Sequence, residues 1–191
     1  MLLDKYLPTF QFNEIHRVTV RASLEETFTA IKQLTPSELS PLVNLMLNLR
    51  SLPARLGGER GMELKGEKPM LDVMYAGSFI PLEESSDEIV FGMVGQFWKL
   101  KPAAEPTISS PQEFLAYNNP AFAKVAANLK VTPDSNGCVT CSTETRIHVP
   151  DPSTRKKFAF YWRLISMGSG WIRVLWLHAI KHRAERARAR S

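Results

Sequence analysis

The chain has 191 residues, of which 44% are apolar and 23% charged. That balance fits a single globular domain with a sizeable core, and it excludes a disordered chain, a collagen and a disulfide-stapled miniprotein. The net charge of +5 is uneven: residues 181–191 hold five basic side chains against Glu185 alone, so the body is near neutral and lacks the broad basic face of a nucleic-acid-binding domain.

In chain order, Ile15–Ala22 alternates polar and apolar residues and predicts a strand with one buried face. Ser23-Leu24-Glu25-Glu26 is a capping box, in which the serine and glutamate side chains satisfy each other's backbone N–H groups. Leu24, Thr27, Phe28, Ile31 and Leu34 then recur at helical spacing, giving a helix to about Gln33. A second helix is expected over Ser37–Leu52, and a glycine-rich loop over Gly57–Pro69. From Leu71 the pattern turns to strands: Gly77–Leu82, Glu88–Val94 and, as a further candidate, Phe97–Leu100. Pro102–Pro111 reads as a loop and Gln112–Tyr117 as a short strand. Ala121–Val131 and Val139–Val149 alternate on either side of the turn Pro133–Gly137, which makes a hairpin.

Asp151-Pro152 then opens a helix, with aspartate as cap and proline at the first helical position. Phe158, Tyr161, Trp162 and Ile165 form its apolar stripe. Each glycine costs about 1 kcal/mol in a helix interior, so Gly168-Ser169-Gly170 is expected to interrupt it before it resumes over Trp171–Ala187. Helices segregated from hairpin-linked strands predict an α+β fold, one antiparallel sheet gripping the long C-terminal helix, as one domain over residues 1–191 with a basic tail at 181–191.

No segment carries about 20 apolar residues, and the N-terminus lacks a secretory pattern, so a cytoplasmic protein is expected. Cys138 and Cys141, just after a turn and at the start of a strand, do not match a redox site that opens a helix, and no further ligands stand nearby for zinc. They read as unreactive thiols. His178 and His182 are four apart on the last helix, but no third ligand accompanies them. No metal, cofactor or catalytic residue is therefore assigned.

Several segments carry a resemblance: His16-Arg17-Val18 with Ala22–Phe28; Arg50 with Leu52-Pro53; Val94-Gly95-Gln96-Phe97-Trp98; Ser142–Arg146; and Phe158–Arg163. Together with the order of elements they resemble an uncharacterised bacterial branch of the START-related, birch-pollen-allergen-like helix-grip superfamily (SRPBCC). The resemblance covers roughly Phe12–Glu185. It implies a curved sheet with an internal cavity that takes a lipid-, polyketide- or aromatic-like molecule. It also leaves open an enzyme of the polyketide cyclase or dehydratase type.

The candidate ligand-binding residues follow. Glu144 and Arg146 share one face of their strand, and His148 shares it too. If that face lines the cavity, Arg146 grips a ligand carboxylate and Glu144 orients Arg146; the enzymatic alternative takes its acid or base from His148, Glu144 or Tyr161. If the opposite face is the core, the pair is solvent-exposed. Phe97, Trp98, Tyr117, Tyr161, Trp162 and Ile165 supply an apolar lining with polar tips. Spacing alone does not decide which of Tyr161 and Trp162 faces inward. The expected partner is a small apolar molecule, without nucleic acid. A third reading is a surface module acting through the basic C-terminal end, which could touch an acidic membrane.

Overall fold

A computed structural model describes residues 1–39, 66–99, 106–134 and 137–190. Helix α1 (Leu2–Tyr6) precedes strand β1 (Phe12–Val20) and helix α2 (Leu24–Gln33); a 3-10 turn follows at Pro36–Glu38. Helix α3 (Met70–Tyr75), strands β2 (Ile80–Glu84) and β3 (Glu88–Gly95), and helix α4 (Pro111–Ala116) come next. Strands β4 (Ala123–Pro133) and β5 (Val139–His148) lead into helix α5 (Pro152–Arg188). The strands form one curved antiparallel sheet in the order β1-β5-β4-β3-β2, so the first strand closes against the last.

The local signals hold where they are strongest. Ser23 Oγ accepts from Glu26 N at 3.1 Å while Glu26 Oε2 accepts from Ser23 N at 2.6 Å. Gly137 takes φ +69°, the left-handed conformation a hairpin turn needs. Asp151 Oδ2 accepts from the Ser153 hydroxyl and from Thr154 N, each at 2.6 Å, and these bonds hold its carboxyl down at about 2.

Four expectations are corrected. The residues from Leu71 begin in helix α3, and β2 starts only at Ile80. Phe97 and Trp98 lie in a turn, closed by Lys99 N on Gln96 O at 2.9 Å, with Leu100 outside the described residues. Gln112–Tyr117 is mostly helix α4, because Ser110 caps Glu113 N at 3.2 Å and Pro111 occupies the first turn. Helix α5 runs unbroken for 37 residues through Gly168-Ser169-Gly170. The helix expected over Ser37–Leu52 has only its start described, as the 3-10 turn; residues 40–65, including most of the expected loop, and 100–105 lie outside the described residues.

The sheet is covered on both sides. Beneath α5 and α2 lie Val20, Ile89, Phe91, Leu129, Val131, Val139 and Cys141, packed on Leu177 and Ile180. On the other side α1 and α4 cover Leu82, Val90, Val94 and Ala126 with Leu3, Leu7 and Phe114. Glu88, fully buried at the start of β3, holds α1 there. Its carboxylate accepts from Leu2 N (3.0 Å), Leu3 N (3.3 Å), Asn128 Nδ2 (2.7 Å) and Lys130 Nζ (3.2 Å). A buried carboxylate is tolerated only when its lone pairs are filled in this way. The C-terminal basic residues are not a loose tail: Arg183 Nη1 donates to Glu38 Oε2 at 2.6 Å and Arg188 Nη1 to Arg21 O at 3.0 Å.

Candidate functional site

Strand alternation sends Phe12, Glu14, His16, Val18 and Val20 of β1 toward α5, together with Cys141, Thr143, Thr145 and Ile147 of β5. The register lines these residues up in rows. Glu14 pairs with Thr145, Thr145 with Ala127, and Ala127 with Phe91. One row along, Phe12 pairs with Ile147 and Ile147 with Val125.

The Phe12 row carries an aromatic nest around Phe158 of α5. Phe158 meets Phe12 at 5.0 Å, Trp98 edge-on at 5.8 Å, Tyr161 at 5.8 Å and Trp162 stacked at 6.1 Å. Phe97 packs on the same group. Four residues singled out from the sequence, Phe97, Trp98, Tyr161 and Trp162, thus converge between sheet and helix, and both Tyr161 and Trp162 join. Ile165 is half-buried on the same helix. Tyr117 stands elsewhere, edge-on to Phe122 at 5.9 Å in the cluster under α4.

The nest and the aliphatic core under the second half of α5 are separate clusters. Between them the β1 and β5 end of the Glu14–Thr145–Ala127–Phe91 row is polar, while Ala127 and Phe91 belong to the core. His16 Nε2 donates to Glu14 Oε1 at 2.8 Å, and Arg173 Nη1 donates to Glu14 Oε2 at 2.8 Å and to Ser169 Oγ at 3.2 Å. The Glu14 carboxylate and the His16 ring come against α5 at Gly170. A Cβ there would run into Glu14 Oε1 and stand 3.2 Å from His16 Nε2. The glycine read as a helix breaker is a packing contact.

Among the described residues, two buried polar atoms in this layer have no partner: the Thr145 hydroxyl, on a residue 2% exposed, and the Trp176 indole N–H, on a residue 8% exposed. Trp176 lies against Phe91, at 6.4 Å between ring centroids, so its ring sits at the far end of the Glu14–Thr145–Ala127–Phe91 row. Leaving such a group unpaired costs about 1–3 kcal/mol. The adjacent Thr143, equally buried, spends its hydroxyl on Asn128 O at 2.7 Å.

Glu144, Arg146 and His148 face the other way. Arg146 is neither in the layer under α5 nor solvent-exposed. It is 7% exposed, with Nε on Glu144 Oε1 (2.7 Å), Nη1 on Asp4 Oδ1 (2.7 Å) and on Leu7 O (3.3 Å), and its guanidinium 4.8 Å from the Phe10 ring centroid. It clamps the N-terminal segment across the outer face. His148 Nδ1 accepts from Gln11 Nε2 at 3.1 Å; burial first, then the positive charges of Lys124 and Arg155, hold its imidazole below the usual histidine range. The acid–base set drawn from the sequence is therefore divided by the sheet, with Tyr161 on one side and His148 and Glu144 on the other. Glu14, His16, Thr145, Arg173 and Trp176 were missed. The available signal was that Glu14 and His16 share the strand face that Val18 and Val20 bury.

Burial pushes the Cys141 thiol up to about 12, so it carries no thiolate at neutral pH. A cleft of about 390 Å³ opens at the β2 edge between Tyr75, Phe79, Ile80, Val94 and Ile108, and none of the residues singled out from the sequence lines it. Burial pushes the Tyr75 hydroxyl there to about 12, out of range for proton transfer near neutrality.

The sheet and the single long helix lying across it make a helix-grip fold. That architecture fits the superfamily the sequence resembles. No family model matches the chain, and no curated protein matches it. Among solved structures, a conserved protein from Geobacillus kaustophilus is similar over 92% of this chain and 97% of its own, at 13% identity and TM-score 0.37. Ara h 8.0201 is similar over 91% of this chain and 97% of its own, at 9% identity and TM-score 0.26. Likeness at that level carries no functional argument. Among the described residues, no helix is long and apolar enough to cross a membrane.

Proposed function

We propose that the chain binds a small amphipathic molecule in the layer between α5 and the sheet, at the polar row between the aromatic nest and the aliphatic core. The observation that carries this reading is the pair of buried, unpaired groups, Thr145 Oγ1 and Trp176 Nε1. An indole N–H can only donate, and a threonine hydroxyl can donate or accept. The ligand they suit is an apolar body bearing a carbonyl or hydroxyl oxygen. Phe12, Phe158 and Trp162 offer aromatic surface on one side of the row, and Ala127 is the smallest side chain within it. The Glu14–His16–Arg173 cluster, part-buried at the β1 edge, supplies a polar end.

Native mass spectrometry of the full chain from its native host, before and after organic extraction, tests this directly. A bound mass that extraction removes is expected. The extracted protein should also bind the amphipathic fluorophore anilinonaphthalene sulfonate, roughly tenfold more weakly in a Thr145→Val, Trp176→Phe double variant, the equivalent of about two lost neutral hydrogen bonds. An empty native chain together with unchanged fluorophore affinity in the double variant refutes the reading.

A further inference from the structure

Eight large apolar side chains are exposed among the described residues, and five of them, Phe160, Leu164, Met167, Trp171 and Val174, lie on α5. Their exposure runs from 38% to 77%. They are spaced four, three, four and three apart. At 100° per residue all five fall within an arc of about 80°, centred opposite the sheet-facing Phe158, Trp162, Ser169 and Trp176. The helix thus has two apolar faces, of which the described residues cover one.

The charges around the uncovered face have one sign. Lys156, Lys157 and Arg163 are exposed at its N-terminal end, and Arg186 beyond its C-terminal end. The one acidic residue of α5, Glu185, lies beyond the stripe and is already partnered: its carboxylate accepts from Arg21 N at 2.9 Å and stands 3.8 Å from Lys181 Nζ. Trp171, the residue type that suits the boundary between apolar and polar phases, sits within the stripe.

We propose that this face of α5 docks flat on an anionic phospholipid surface, with the apolar stripe entering the boundary between headgroups and acyl chains and the flanking lysines and arginines meeting lipid phosphates. The helix lies in the surface and does not span it, because no window of it is apolar enough to cross. A second copy of the chain is the weaker occupant. A parallel pair would set Lys156, Lys157 and Arg163 against themselves, and an antiparallel pair would set them against the basic C-terminal end, so like charges meet either way. An anionic surface neutralises both ends at once. This docking does not depend on the ligand proposed above.

The test is co-sedimentation of the full chain with vesicles of phosphatidylcholine alone and of phosphatidylcholine mixed with phosphatidylglycerol. Binding to the mixed vesicles should exceed binding to the neutral ones roughly tenfold or more and weaken with salt. Met167→Glu with Trp171→Glu should lower it roughly tenfold or more, and so, separately, should reversing Lys156, Lys157 and Arg163 to glutamate. Both sets of positions are exposed, so the fold should survive, as far-ultraviolet circular dichroism will show. Leu115→Glu, at an exposed apolar residue on α4, should leave vesicle binding unchanged. Absence of binding to the mixed vesicles overturns the proposal, as does binding that ignores both sets of variants. It is equally overturned if sedimentation shows a concentration-dependent dimer, without vesicle binding, that Met167→Glu with Trp171→Glu dissolves; the stripe is then an interface between copies.

Discussion

Thr143 and Thr145 stand two apart on β5, both 2% exposed and both turned toward α5, yet one hydroxyl is paired and the other is not. Replacing each by valine therefore gives opposite results. Valine has nearly the shape of threonine, suits a strand equally well and exchanges the hydroxyl for a methyl. At Thr145 the exchange removes an unpaired polar group that costs about 1–3 kcal/mol and adds an apolar methyl worth about 0.8 kcal/mol. Allowing for imperfect fit, the ligand-free protein should gain about 1–2 kcal/mol. For a chain of this size that raises the melting temperature by roughly 2–8 °C. At Thr143 the same exchange breaks the 2.7 Å bond to Asn128 O and should cost about 1 kcal/mol. The assay is thermal and urea unfolding of the extracted, ligand-free protein, with a check that the urea m-value is unchanged. Loss of stability in Thr145→Val, to a similar degree as in Thr143→Val, means that the Thr145 hydroxyl is satisfied, and the argument for a ligand at this row fails.

Three further outcomes follow from the same geometry. Gly170→Ala should destabilise the protein although it gains about 1 kcal/mol of helix propensity, and in a Glu14→Ala background it should stabilise by about that amount; the same sign in both backgrounds, measured by urea unfolding, removes the packing role of Gly170. Glu88→Gln leaves Lys130 and two backbone N–H groups short of a carboxylate and should cost about 3 kcal/mol, with faster proteolytic cleavage near α1 as its local sign. His148 titrates below its ordinary value of 6.5 in the folded chain, so its neutral form is the favoured one there. Stability is then full above about pH 6.5 and falls as the pH drops from there toward the folded value, because the unfolded chain takes up the proton first; in His148→Gln that part of the acid-side loss should vanish from the urea midpoints.

Signals confined to a few consecutive residues could be read from the sequence, and those that depend on distant partners could not. Ser23-x-x-Glu26, Asp151-Pro152 and the turn glycine Gly137 act through geometry among near neighbours, and each was legible. Ser110-Pro111-Gln112-Glu113 carries the same kind of cap, but the run after it was short enough to pass for a strand. Gly170 of α5 has a helix cost that is local and a packing contact that is not, since Glu14 and His16 arrive from a strand at the other end of the chain. Strand alternation placed Glu144, Arg146 and His148 on one face. It could not say which cover lay over that face, because both sides of the sheet are buried and the outer cover is the N-terminal segment. The Glu14–Arg173 ion pair joins residues 159 positions apart, beyond the reach of any spacing argument.

The pairing of the first strand with the last has a consequence for the making of the protein. Val20 has no ladder partner until Val139 has been synthesised, and Phe12 waits for Ile147. At ~5–20 residues per second, β1 spends roughly 6–25 s on the ribosome with its strand edges open. Through that interval Glu14 and Arg17, the charges within β1, work against pairing of the nascent edge with a neighbouring chain.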